Sequence, residues 1–276
     1  MPWSPLSFRR GPRLVAALVL GALIASCGDA TEPRSAADLA PVATDLSATY
    51  PPEADARPEI GYQRSLLAEP ILSFSPTLVL ATDAAGPREV VEQIAELVPT
   101  VYVVAPDDLG GPAAKIRAVA EALGVPGRGE ELAKKTQAEI DAAVAAVPAD
   151  REELRVAALY LRGDRVQQIF GPGSGMHALL DAVGVVDIGE LLGVDDNQPV
   201  TTEALLREQP QVVITTTTGL ESVGGVDGLL SQPALERTPV AESRRVLAYE
   251  TQYLFGFGPR TGQLLAELTS DLYPDD

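Results

Sequence analysis

The stretch GEELAKKTQAEIDAAVAAV, residues 129–147, decides how the rest of the chain is read. It has no Gly or Pro inside and is built from Ala, Glu and Lys, which lose little freedom in a helix. Leu132, Ile140, Ala143 and Val147 supply its apolar positions, so the pattern predicts one long helix. On both sides the pattern changes to alternating strands and helices. Before it come PTLVLATD (76–83, strand), GPREVVEQIAEL (86–97, amphipathic helix with Pro87 in its first turn), TVYVVAP (100–106, strand) and GPAAKIRAVAEALGV (111–125, helix). After it come strands at LRVAALYLRG (154–163), QVVITTTT (211–218) and RRVLAYE (244–250). Helices are expected at GMHALLDAV (175–183), TTEALLREQP (201–210) and GPRTGQLLAELTSDLY (258–273). A βαβα rhythm implies parallel strands covered by helices. The fold class is therefore α/β, with two α/β lobes joined by a single long backbone helix.

The amino terminus reads separately. FRRGPRLVAALVLGALIASCG has Arg9, Arg10 and Arg13, an apolar run from Leu14 to Ile24, and small residues up to Cys27. This is the layout of a secretory signal, and the apolar run is short for a membrane span. The only Cys follows IAS directly, which resembles a bacterial lipobox in which Cys27 is lipidated and tethers the chain to the membrane. The expected organisation is a lipoprotein signal over 1–27 and a flexible tether or loop over 28–57. A first lobe over 58–128, a linking helix over 129–148 and a second lobe over 149–276 follow.

Composition narrows the function. Among 276 residues there are 39 acidic and 21 basic side chains, a formal charge of -18. Such a chain repels nucleic acid phosphates and its own copies, so no nucleic acid partner and a monomer are expected. One Cys and one His exclude an internal disulfide and a zinc site built from several His or Cys. No Ser-His-Asp arrangement or other catalytic constellation is legible, so the chain is not read as an enzyme.

Four segments carry a family resemblance: GYQRSLLAEPILSFSPTLVLATDAAGP (61–87), VAALYLRGD (156–164), GLESVGGVDGLL (219–230) and LFGFGPRTG (254–262). In this order they resemble the haem (hemin) ABC transporter substrate-binding lipoproteins, helical-backbone (cluster A, class III) periplasmic binding proteins. The resemblance implies that ferric haem is the transported ligand, that it is captured between the lobes, and that an ABC permease and its ATPase are the partners.

It also implies site residues. The Gly61-Tyr62-Gln63-Arg64 turn matches a first-lobe turn that presents an axial Tyr to haem iron, with Arg64 close by. Tyr160 and Arg162 match a second-lobe Tyr with an Arg two residues on, which stabilises the phenolate. The chemistry suits the iron, because phenolate is a hard anionic ligand for a hard ferric ion. On residues alone, Tyr62 reads first as a turn Tyr packing on a neighbouring helix, and Tyr160 reads also as an edge-strand Tyr beside a solvated Arg. Glu69 and Glu203 match the acidic residues, one on each lobe, that dock to the permease, although Glu at a helix start is common in any case. GPGSG before 175–183 reads as an anion cradle or as a tight turn, His177 as a packing or surface residue, and Phe255 and Phe257 as pocket wall or core.

One departure stands out. Carriers of this group open their first lobe with a strand, a helix and a strand before the Gly-Tyr turn, and no such unit is legible between Cys27 and Tyr62. The first lobe is therefore expected to be truncated. A siderophore or cobalamin carrier of the same family is the nearest alternative, although the single Trp, Trp3, lies in the signal and leaves no indole for the pocket. A degenerate interaction protein that binds no ligand is the alternative from another class.

Overall fold

The computed structural model describes residues 40–104, 107–163 and 165–274; the signal segment and Cys27 lie outside the described residues. The long helix runs Pro126–Ala145. It begins earlier than the Gly-free pattern suggests, because Pro is tolerated at the first helical position, where its missing N–H has no intrahelical acceptor. Its buried stripe is Gly129, Ala133, Thr136, Ile140 and Ala143, spaced by fours and threes. Leu132, expected on the apolar face, is exposed instead. The stripe is made of small residues because the neighbours come close. A methyl group on Gly129 would lie 2.1 Å from Ala120 Cβ in helix Gly111–Ala122 of the first lobe. One on Gly262, in helix Thr261–Leu272 of the second lobe, would lie 2.7 Å from the Glu139 carbonyl carbon. Each lobe is thus seated on the linking helix through a glycine.

The second lobe holds a six-stranded sheet. Its strands are β3 (Arg155–Arg162), β4 (Arg165–Phe170), β5 (Val186–Asp187), β6 (Asn197–Pro199), β7 (Val212–Thr216) and β8 (Val246–Tyr249). The order is β6-β4-β3-β7-β8, with β5 beside the start of β3. β3, β5, β7 and β8 are parallel, whereas β4 returns antiparallel to β3 and β6 antiparallel to β4. The expected parallel sheet is therefore mixed. The hairpin turns at Gly163, φ 70°, a left-handed conformation that a two-residue turn favours and glycine adopts freely.

Alternate residues of β3 face opposite layers. Val156 and Ala158 join a core with Ile140, Met176, Leu254 and Leu264. Ala157, Leu159 and Leu161 join another with Ile169, Leu205 and Leu229. Covering both faces explains why VVITT of β7 is buried throughout.

Among the described residues the first lobe's sheet is β1 (Val79–Ala81) paired in parallel with β2 (Thr100–Tyr102). Its buried core is Leu66, Ile71, Ala81, Val91 and Ile94. Beside β1 an apolar groove of about 540 Å³ is lined by residues including Val42, Ile60, Ile71, Phe74, Leu80 and Leu123.

Residues 40–57, expected as a flexible tether, are held in their described part. Thr44 N–H donates to Pro58 O at 3.0 Å, Ile60 N–H to Thr44 O at 2.9 Å and Leu46 N–H to Gly61 O at 3.1 Å. Further on, Gln252 Nε2 donates to Tyr50 O at 3.3 Å, and Thr49 Oγ1 lies 3.0 Å from Glu250 Oε1. The segment gains this order from backbone pairing and cross-lobe contacts, which local periodicity does not encode.

Candidate functional site

The carboxyl ends of β1 and β2 open towards the space between the lobes, as open α/β sheets present their ligands. A cavity of about 240 Å³ lies there. The first lobe lines it with Thr82, Asp83, Val103, Val104, Asp107 and Lys115, and the second with Phe170, Ser174, Gly175, Met176, Phe255 and Phe257. The second wall is aromatic. Phe170 and Phe255 stand 5.1 Å apart at 44°, a tilted pair of the kind their quadrupoles favour. Phe257 lies over the start of helix Gly175–Val183, where a methyl on Gly175 would come 2.6 Å from its Cζ. Glycine is what admits the ring. Of the two readings open for Phe255 and Phe257, wall and core, both hold: they line the cavity and pack against the second lobe's core.

GPGSG resolves as a tight turn. Gly171 N–H donates to Asp196 O at 2.7 Å, Gly173 N–H to Asp195 O, and Ser174 N–H to Gly171 O at 3.0 Å. Those amides are spent inside the protein and do not form an anion cradle. His177, in the helix that follows, holds Asp187 at 2.8 Å through Nδ1. Asp187 is 3% exposed and also accepts from Gly189 N–H at 2.8 Å. Burial pushes its carboxyl above the usual range, and the His177 bond opposes that rise.

Tyr62, Arg64, Tyr160, Arg162, Glu69 and Glu203 are not among the described residues that line this cavity. Tyr62 follows Gly61, whose φ of 95° makes the turn, and is 47% exposed. The turn is stitched to the loop after β1: Gly86 N–H donates to Gln63 O and Leu66 N–H to Gly86 O, both at 2.8 Å. That loop begins with Thr82 and Asp83 of the cavity wall. Arg64 is exposed on the same turn. Tyr160 lies opposite Gln168, and Phe170 is two residues beyond Gln168 on the same face. The register shifts between Tyr160 and Leu161, yet Leu161 still joins the opposite layer. Tyr160 and Arg162 therefore continue the side of β3 that carries Val156 and Ala158. Arg162 is exposed at the strand's end. Glu69 and Glu203 are exposed in the first turns of helices Ala68–Ser73 and Thr202–Glu208.

Sequence reasoning missed Asp83, Val103, Asp107, Lys115 and Phe170. The carboxyl-end rule used for Tyr160 applies equally to β1 and β2 and would have found the first three. Lys115 and Phe170 carry no local signal.

Two lobes on one helix, with a cleft between them, define a ligand clamp. The chain belongs to the periplasmic binding protein family, whose model matches residues 35–253. Members are extracytoplasmic binding proteins, and no helix among the described residues is long and apolar enough to cross a membrane. Among solved structures it is similar to the periplasmic heme-binding protein RhuT from Roseiflexus sp. RS-1, in apo form. Identity is 46% over 84% of this chain and 89% of that one, with a TM-score of 0.81. The heme-binding protein HmuT matches at 34% identity over 85% of this chain and 77% of its own, TM-score 0.78. The periplasmic heme-binding protein BhuT, in complex with two hemes, matches at 34% over 84% and 87%, TM-score 0.74. A comparison with curated protein sequences returns no match.

Proposed function

We propose that this chain is the extracytoplasmic haem-binding component of an ABC importer, which captures ferric haem between its lobes and delivers it to the permease. The observation that carries the reading is the aromatic-walled cavity between the two lobes. The relatives support it. RhuT, HmuT and BhuT are heme-binding proteins, and HmuT has been solved with a Tyr, and separately the Arg two positions beyond it, replaced by Ala. Tyr160 and Arg162 have that spacing.

In this reading Tyr62 and Tyr160 are the iron ligands. A free Tyr ionises near pH ~10, but a bound ferric ion favours the phenolate, and Arg162 and Arg64 supply positive charge beside it. The cavity, at about 240 Å³, is below the roughly 300 Å³ where sites for drug-sized ligands begin, so a tetrapyrrole enters as the lobes part. Glu69 and Glu203 dock the two lobes to the permease, which couples to its ATPase. Cys27 carries the lipid that keeps the chain, as a monomer of high negative charge, at the outer face of the cell membrane.

Titrating the purified protein with haemin tests the reading. A saturable Soret change that weakens in Tyr62→Phe and Tyr160→Phe is expected. No Soret change on adding haemin overturns it and leaves the non-binding alternative.

A further inference from the structure

Lys115 stands out among the groups that the proposed iron site does not use. It projects from helix Gly111–Ala122 of the first lobe across the cleft, and its Nζ donates to Gly256 O of the second lobe at 2.9 Å. It is, among the described residues, the single cation lining the cavity. Among the described residues no carboxylate lies within ion-pair distance of it; Asp107 and Asp83 act on it only at longer range. A half-buried ammonium with three donors therefore rests on one neutral carbonyl. Burial lowers its pKa, as it does for a cation without a contacting anion. Buried charges are ordinarily paired. The surroundings are Phe170, Phe255, Phe257 and Met176, which suit a flat apolar ring, so the missing counter-charge is one that a ligand brings with it.

We infer that Lys115 is a specificity residue: when the lobes part to admit ligand, its ammonium leaves the Gly256 carbonyl and binds a carboxylate on the edge of the tetrapyrrole. The inference rests on the proposed haem-binding function and names what that cleft recognises besides iron. Haemin carries two propionates, and its dimethyl ester keeps the ring and the iron but has no carboxylate. The contact is charge-assisted and partly buried, so it separates the two by about tenfold or more.

The test is a Soret titration of the purified protein with haemin and with haemin dimethyl ester, in the unaltered chain, Lys115→Met and Lys115→Arg. The unaltered protein is expected to prefer haemin by about tenfold or more. Lys115→Met is expected to lose that preference, its haemin affinity falling relative to its ester affinity, and Lys115→Arg to keep most of it. Equal loss of both ligands in Lys115→Met would mean that the residue only ties the lobes, and an unchanged preference would mean that another group reads the carboxylate; either result overturns the inference. If haemin itself gives no Soret change, the failure lies with the haem-binding reading instead. Thermal unfolding of each variant identifies any loss that comes from misfolding, and Lys115→Gln then repeats the comparison.

Discussion

Three glycine-to-alanine substitutions on the linking helix and its neighbour test whether the lobes are held by close helix contact. Gly127 and Gly129 lie two residues apart in the same helix, and both have ordinary helical φ. A methyl on Gly127 meets nothing within 4 Å, whereas one on Gly129 would lie 2.1 Å from Ala120 Cβ. Ordinary carbon–carbon contact is at about 3.5–4.0 Å. The two helices must therefore part by an ångström or more, and Ala120 has no rotamer with which to yield. Gly262→Ala meets backbone of the linking helix, with Glu139 C at 2.7 Å and Ile140 N at 2.9 Å. Overpacking of this kind costs about 1–3 kcal/mol, which at roughly 2–4 °C per kcal/mol for a chain of this size lowers Tm by roughly 2–12 °C. Gly127→Ala removes backbone freedom from the unfolded chain and adds a better helix former, so it should stabilise by roughly 0.5–1 kcal/mol. Thermal unfolding followed by circular dichroism reads all three. Equal Tm values for Gly127→Ala and Gly129→Ala, or a Gly262→Ala protein as stable as the parent, would refute the close-contact account.

His177→Ala leaves the buried Asp187 carboxylate short of a donor and should cost about 1–3 kcal/mol at neutral pH in denaturant titrations. A carboxyl whose folded pKa is raised stabilises the fold while protonated and loses that contribution as pH rises through the folded value. Removing His177 takes away an opposing influence and raises Asp187 further. The deficit should therefore shrink as pH falls towards the usual Asp range near ~4, and a deficit that grows on acidification counts against this pairing. Glu69→Lys with Glu203→Lys should leave haemin titration unchanged but abolish haem uptake in cells that depend on this carrier; normal uptake would remove both residues from the docking role. Phe255→Ala breaks the 5.1 Å ring pair with Phe170 and should weaken haemin binding several-fold, in line with about 0.5–1.5 kcal/mol for an aromatic pair plus lost wall area. Unchanged affinity would place Phe255 in the core alone.

Several elements were legible because their signal is local. Helix 175–183 has its predicted bounds, with Gly184 at φ 71° closing it in a left-handed cap. The helices after Pro87 and Gly110, and β7, also fall where periodicity places them. β4 was not legible: RVQQIF reads as neither a clean alternation nor a helix, and it becomes a strand because β3 offers it an edge to pair with. Leu132 misled for a related reason, since close contact between helices selects the small Gly129 and Ala133 over a large apolar neighbour.

What the sequence determined by itself was the class: two α/β lobes, one linking helix, a strongly acidic chain, and short segments that resemble a family of binding proteins. These follow from composition, period and short motifs, all of which act within a few residues. The tertiary structure decided which groups meet. It brought Lys115 to Gly256, 141 residues apart in sequence, put Phe170 against Phe255, and tied Tyr50 and Thr49 to the segment that carries Phe255 and Phe257. Such pairings depend on how both lobes seat on one helix, and only the folded chain brings residues so distant into contact.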